Sequence, residues 1–252
     1  MHYSVSWSGG KDSTASIILA HLHNEPVDSI VFVEVMFDKE NGISGENPQH
    51  IDFIKNKAIP VFESWGYRVD IVHSDRDFLS VFNRVIEKPR KHIEHKGMKY
   101  GFPPNGLCSV KRDCKLRAIK KYYESVGECI QYVGIAVDEP RRLASLHKTN
   151  NISLLEKYGL TEADAMRLCE QYGLLSPTYK FSKRGGCWFC PNAKLAEHRD
   201  IRDRYPDVWK QYIDLEFESV AFSKWNTFTD MTLHDIDRQL SRERIGENGT
   251  AA

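Results

Sequence analysis

The sequence predicts an α/β fold, a doubly wound parallel sheet with a helical, cysteine-bearing C-terminal region. Three observations carry that expectation. Short apolar runs alternate with helical patterns from Tyr3 to about Gly134. Polar, glycine-bearing segments follow several of the runs, where loops of a parallel sheet gather. Beyond about residue 150 the strand pattern stops, and helices surrounding a C-x-x-C pair take over. These place an α/β domain at 1–150 and a helical region at 151–252 that folds back onto it.

The elements follow in order. Tyr3-Ser4-Val5-Ser6-Trp7 alternates like a strand, and Thr14 to His23 reads as a helix with Ile17, Ile18 and Leu22 on one face. Ser29 to Phe37 is a near-continuous apolar run, as in a buried parallel strand, and ends at Asp38. Pro48 opens a helix over roughly 49–65. Tyr67 to His73 is a third strand, and Asp77 caps a helix bearing Phe78, Leu79, Phe82, Val85 and Ile86. Residues 87–107 break the pattern as a basic surface loop. A helix runs from Ser109 or Val110 to Ser125, with Gly106 and Ser109 marking its start, and Cys129 to Gly134 is another strand. Residues 152–172 are helical in two pieces, the first ended by Gly159 and the second capped by Thr161 with Asp164. The segment from Glu197 is helical and rich in aromatic residues.

Composition narrows the class. The 252 residues are 41% hydrophobic and 28% charged, ordinary for a soluble globular protein. No run approaches the roughly 18 apolar residues of a membrane span, and the N-terminus enters a strand at once, leaving no room for a signal peptide. A cytoplasmic protein without a membrane partner is expected. The six cysteines therefore read as thiols or metal ligands rather than a disulfide scaffold. Net charge is zero, yet Lys88 to Lys121 holds eleven Lys or Arg against two acids. That segment expects an anionic second substrate, nucleic acid among the candidates.

The strongest motif is Ser8-Gly9-Gly10-Lys11-Asp12-Ser13, set between the first strand and the first helix. Strand, glycine turn and helix N-terminus together aim backbone N–H groups at an anion. The glycines permit close approach, Lys11 adds a mobile cation, and Ser8 and Ser13 add hydroxyls. The spacing from the glycines to Lys11 is too short for a Walker A loop. The motif resembles the S-G-G-K-D-S signature of the PP-loop ATP pyrophosphatases, which implies ATP with Mg²⁺ and release of pyrophosphate.

The cysteines form two pairs and two singles. Cys187-Trp188-Phe189-Cys190 is a C-x-x-C knuckle between Arg184-Gly185-Gly186 and Pro191. Cys108 and Cys114 are six apart and would not share a face if both were helical. They converge only if Cys108 precedes the helix and Cys114 lies one turn inside it. Four thiols in two pairs suit a Cys₄ zinc or a [4Fe–4S] cluster, with basic neighbours Lys111, Arg112, Lys183 and Arg184 to favour thiolates. Cys129 and Cys169 read as buried small hydrophobes.

With both features in hand, the chain resembles the phosphoadenosine phosphosulfate (PAPS) reductase family of the PP-loop superfamily, in its phage and bacterial reductase-like branch. Gly134-Ile135-Ala136-Val137-Asp138-Glu139-Pro140-Arg141-Arg142 is similar to that family's G-I-x-x-D-E-x-x-R, and Tyr205-Pro206 with Trp209 to its tail. The resemblance implies a PP-loop, HUP-like core and AMP-forming adenylyl transfer linked to sulfur transfer or thiolation, with a sulfur donor protein as partner. It places Ser8, Gly9, Gly10, Lys11, Asp12, Ser13, Asp38 and Gly134 around the adenine nucleotide. Lys11, Asp12, Asp138, Glu139 and Arg142 are then the catalytic candidates, and Arg141 a weaker one. Cys108, Cys114, Cys187 and Cys190 become metal ligands, with iron–sulfur ahead of zinc. Two departures bear on activity: no cysteine follows Cys190, where sulfonucleotide (PAPS/APS) reductases carry their nucleophile, and Lys11 is present where those reductases usually lack it. The alternatives are such a reductase, with a C-x-x-C thiol attacking sulfur, or a non-catalytic nucleotide- or nucleic-acid-binding module with a structural zinc.

Overall fold

The computed structural model describes residues 1–89, 91–103, 108–182, 186–217, 221–223, 225 and 231–249. Gly106, Lys183, Arg184 and Gly185, named above, lie outside the described residues, as do Arg90 of the basic segment and the Phe222 side chain of the aromatic-rich C-terminal segment. The chain divides into two compact units. The first comprises Met1–Val35, Glu46–Asp75 and Lys115–Gly186, and the second Met36–Gly45, Arg76–Cys114 and Cys187–Ala252. The sequence placed a boundary near residue 150. The structural units interleave instead, and 151–186 belongs with the sheet.

The first unit is built on a four-stranded parallel sheet of His2–Trp7 (β1), Ser29–Val33 (β2), Val69–Val72 (β3) and Cys129–Tyr132 (β4). The strand order is β3-β2-β1-β4. Register is set by Ser4↔Ser29 and Trp7↔Phe32 on one side of β1, and His2↔Cys129 and Val5↔Tyr132 on the other. Successive strands step one way from β1 to β3, and β4 then joins the opposite edge of β1. The order therefore reverses at β1, and the loops leaving β1 and β4 part there, as in ligand sites of open α/β sheets.

Lys11–Leu22 (α1) follows β1. Ser13 through Ala20 are all buried, because the sheet covers one side while Leu154–Lys157 and Glu162–Gln171 cover others. The expected one-sided stripe is thus replaced by burial all round. Leu22 instead lies outside the core, 47% exposed. The core joins Val5, Ile17, Phe32 and Tyr132 to Leu154, Ala165 and Leu174 from the later helices.

The helix expected at 49–65 forms as Pro48–Phe53, a π-helical turn Ile54–Ala58, and Ile59–Ser64. The Asn47 side chain accepts the Gln49 N–H at its start (2.9 Å). Pro60 has no N–H for an i−4 carbonyl, and the wide turn immediately before it accommodates that gap. The run read as one strand from Ser29 to Phe37 splits. β2 ends at Val33, and Met36–Asp38 pairs antiparallel with Ile43–Ser44 in the second unit. Glu34 marks the break: its buried carboxylate meets Lys55 (3.0 Å) and His73 (2.9 Å).

The second unit has an aromatic core. Phe78 packs on Phe189 (ring centroids 4.3 Å) and Phe37 (5.1 Å), and Phe37 on Trp188 (4.6 Å). Asp77 and Ser80 form a capping box on Phe78–Phe82, which is shorter than the helix expected through Ile86. Lys99–Gly101 pairs in parallel with Ala221–Ser223.

Candidate phosphate loop and cysteine knuckle

The loop after β1 is held from beneath and behind. Gly9 adopts φ +74°, and a Cβ there would lie 2.7 Å from the His50 ring and from Ile54 Cδ1. Both the conformation and the contact require glycine. Fully buried His50 reads the loop backbone: its Nε2 lies 3.3 Å from the Ser8 carbonyl and its Nδ1 2.8 Å from Ser176 Oγ. A carbonyl only accepts, so Nε2 carries the proton and Nδ1 accepts from the Ser176 hydroxyl. Burial lowers the His50 pKa to about 4, so the ring is neutral at pH 7.

Gly10 stands at the N-cap of α1 without a side-chain cap. The Lys11 N–H donates to the Tyr179 hydroxyl (3.0 Å), and the Ser8 and Ser13 hydroxyls meet at 3.1 Å. The buried Cys169 thiol donates to the Lys11 carbonyl (3.2 Å), and burial pushes that thiol up to about 12. Cys169 is buried in the core as expected and also bonds the loop, whereas Cys129 is only half-buried. Across the sheet reversal, a Cβ on Gly134 would lie 2.5 Å from Ser13 N and 2.6 Å from the Asp12 carbonyl carbon. Only glycine lets the chain leaving β4 pass the first turn of α1 this closely.

Lys11 Nζ meets Asp12 Oδ1 (2.7 Å) and Glu162 Oε2 (3.4 Å). Burial opposes the ammonium charge, but the Asp12 hydrogen bond and the two carboxylates outweigh it and hold the Lys11 pKa above its usual value. For Asp12, burial wins over Lys11, and Glu162 and Glu139 add to the upward shift. The structure therefore gathers Lys11, Asp12, Glu139 and Glu162. Arg142 is spent on an ion pair with Glu139, whose other oxygen accepts the Ala136 N–H (3.2 Å). Asp138 accepts the Glu162 N–H (3.1 Å) at the start of Glu162–Gln171. Asp38 lies in the second unit and accepts from the Asn41 backbone (3.1 Å) and side chain (2.7 Å).

His50, Glu162, Cys169, Ser176 and Tyr179 were not found as site residues from sequence. Glu162 alone had a local signal, the Thr161/Asp164 capping box that sets it at a helix start. Tyr179 lies 168 residues from Lys11, beyond any local pattern.

The four paired cysteines all lie in the second unit and are free. Cys108 precedes the helix, its sulfur accepting the Lys111 N–H (3.3 Å), and Cys114 lies in the π turn Lys111–Leu116. This is the placement that convergence demanded. At the knuckle Cys190 N–H closes a turn on the Cys187 carbonyl (3.2 Å). Trp188 Nε1 donates to the Ser44 carbonyl (3.0 Å) and Tyr212 to the Phe189 carbonyl (2.7 Å). The two middle residues are thus anchors, while both cysteines stay half-exposed. Burial raises the Cys108 thiol pKa, with the charge of Cys190 adding to it. Burial, then Asp113, Asp77 and Cys108, pushes Cys114 up to about 12. Cys108, Cys114 and Cys190 are therefore in electrostatic reach of one another in a chain, and as a donor set the four thiols suit a thiophilic centre. Among the described residues, no three His, Cys, Asp or Glu side chains are arranged around a common ion position. No helix among the described residues is long and apolar enough to cross a membrane.

No family model matches the chain, and no curated protein matches it. Among solved structures, the chain is similar to the U34-tRNA thiolase NcsA from Methanococcus maripaludis with its [4Fe-4S] cluster, at 16% identity and a TM-score of 0.39, over 96% of this chain and 71% of that one.

Proposed function

We propose that the chain is a PP-loop enzyme that binds ATP with Mg²⁺ at Ser8–Ser13 and adenylylates an anionic acceptor, coupled to sulfur transfer. The observation that supports this reading best is the loop itself. A glycine-bearing turn leaves β1 where the strand order reverses, and it delivers Lys11 and two hydroxyls to the N-terminus of a buried helix.

In the reaction, an acceptor oxygen attacks the α-phosphorus of ATP, and the bond to the β-phosphate oxygen breaks with both electrons leaving on pyrophosphate. A hydrosulfide ion released by a donor protein then displaces AMP, which carries the acceptor oxygen away and leaves the sulfur, with its proton, on the acceptor. Ser8, Gly9, Gly10, Lys11 and Ser13 would hold the β- and γ-phosphates. Lys11 would exchange Asp12 and Glu162 for phosphate, and Asp12 and Glu139 are the carboxylates that would hold Mg²⁺. Such chemistry rests on positioning and charge neutralisation more than on a covalent nucleophile.

Cys108, Cys114, Cys187 and Cys190 would hold an iron–sulfur cluster or zinc; the cluster would supply a sulfur-ligating, redox-active centre, the zinc a structural one. Lys111, through its backbone N–H and its charge, favours the Cys108 thiolate against the burial that raises that thiol's pKa.

Calorimetry of ATP with Mg²⁺ tests the loop. A charged phosphate contact is worth about 1.5–3 kcal/mol, so Lys11→Ala is expected to weaken binding roughly ten- to hundredfold. Equal affinity in wild type and variant would remove ATP from this loop.

A further inference from the structure

The basic segment expected to be a surface loop is partly laddered. Val85 and Lys99 form an antiparallel bridge. Around it Ile86 N–H donates to Met98 O (2.9 Å), Gly97 N–H to Ile86 O (2.9 Å), and Tyr100 N–H to Arg84 O (2.8 Å). The ladder borders a concave cavity of about 650 Å³ within the second unit. Arg84, Lys88, Lys91 and Arg112 line it against one lining carboxylate, Glu87. Asp113 lies beneath and is shared by Arg76 (3.7 Å), Arg84 (3.4 Å) and Arg112 (2.7 Å), so it cancels one of three guanidinium charges. Neither Lys88 nor Lys91 has an ion-pair partner among the described residues.

Charge alone would fit any polyanion, but the cavity also offers planes. The Arg84 guanidinium lies over the Tyr100 ring at 4.3 Å, and the His92 and His95 rings stand 5.1 Å apart. Aromatic and guanidinium planes beside unpaired lysines are the surfaces on which unstacked bases rest while the backbone is neutralised. A duplex keeps its bases stacked inside and gains nothing from those planes.

We propose that this cavity takes a nucleotide of a single-stranded nucleic acid, its phosphates against Lys88 and Lys91 and its base against the Arg84–Tyr100 stack. This rests on the reading that the chain modifies an anionic acceptor, and it names that acceptor's class.

Fluorescence anisotropy of the full chain with end-labelled oligouridine and oligothymidine, titrated over a salt series, tests it. Lys88→Gln with Lys91→Gln is expected to weaken binding about tenfold and to flatten the slope of log K against log salt by about 1.4, two phosphates at roughly 0.7 each. Tyr100→Leu is expected to weaken binding about tenfold at unchanged slope, because stacking releases no counterions. The lysine variant, at the surface, tests the site even if Tyr100→Leu fails to fold. A preference between the two strands identifies RNA or DNA as the source. Undiminished binding by the lysine variant would overturn the proposal. So would duplex, heparin or polyglutamate competing as well as a single strand. ATP calorimetry on the same protein reports on the loop alone: strand binding without ATP binding would overturn the loop reading and leave this cavity standing.

Discussion

At the scale of single residues, His50 shows how much of the loop depends on groups that would never touch a nucleotide. Its ring fills the space beneath Gly9 and bonds the Ser8 carbonyl and Ser176. The folded-state pKa, about 4, lies below the ordinary value of 6.5, so the unfolded chain takes up more protons between those limits. Stability from this group is complete above about pH 6.5 and is lost as pH falls through about 4. The total is on the order of 3 kcal/mol. Denaturant titrations at pH 7 and pH 4.5 are expected to show a smaller pH-dependent loss for His50→Gln than for wild type; identical losses would mean that the ring does not titrate as described. Gly9→Ala faces both a left-handed backbone and a 2.7 Å contact, and is expected to cost at least about 1–2 kcal/mol and to lower ATP affinity in calorimetry.

At the scale of elements, the approach of Gly134 to the first turn of α1 makes β4 and the loop one mechanical piece. Gly134→Ala would put a methyl group 2.5 Å from Ser13 N, against backbone that cannot swing aside. Loss of ATP affinity together with a lowered melting temperature is the expected outcome, and unchanged values for both would show that the contact can relax. The loop motif and most elements were legible in the sequence because both are local: glycine chemistry, capping residues and apolar period. The latch on Lys11 was not, because Glu162 and Tyr179 arrive from helices far along the chain. Arg142 looked available for a phosphate only because sequence does not show that Glu139, three residues back, already holds it. The knuckle's spacing was readable, whereas the anchoring roles of Trp188 and Phe189 needed the Ser44 carbonyl and the Tyr212 hydroxyl in place. Cys108→Ser and Cys187→Ser are each expected to lower the metal content of anaerobically purified protein, measured by elemental analysis and visible absorption, while Cys129→Ser leaves it unchanged. Equal metal content in all three would remove the two pairs from any centre.

At the scale of the whole molecule, the chain passes between the two units five times. A boundary drawn at residue 150 from the end of the strand pattern therefore falls inside the first unit. The stretch beyond it supplies Leu154, Leu155, Ala165, Cys169 and Leu174 to the core around α1, and Ser176 and Tyr179 to the loop. A fragment of residues 1–150 leaves α1 bare on that side and is expected to lack the cooperative thermal transition of the full chain by circular dichroism. A sharp transition in the fragment would show that the sheet is self-sufficient. Strand alternation reports where a sheet ends, but it is blind to helices that return to cover it.

The hydroxyl of Tyr179 on the Lys11 N–H has one more consequence. The first amide of α1 is already occupied by the chain's own oxygen. An incoming anion must evict it, which sets a threshold that one phosphate group meets poorly and a triphosphate, with many contacts, meets easily. The tyrosine would then act as a discriminator, keeping the loop clear of orthophosphate at cellular abundance while admitting ATP. Tyr179→Phe would lower that threshold, so inorganic phosphate should compete with ATP more strongly in the variant than in the wild type.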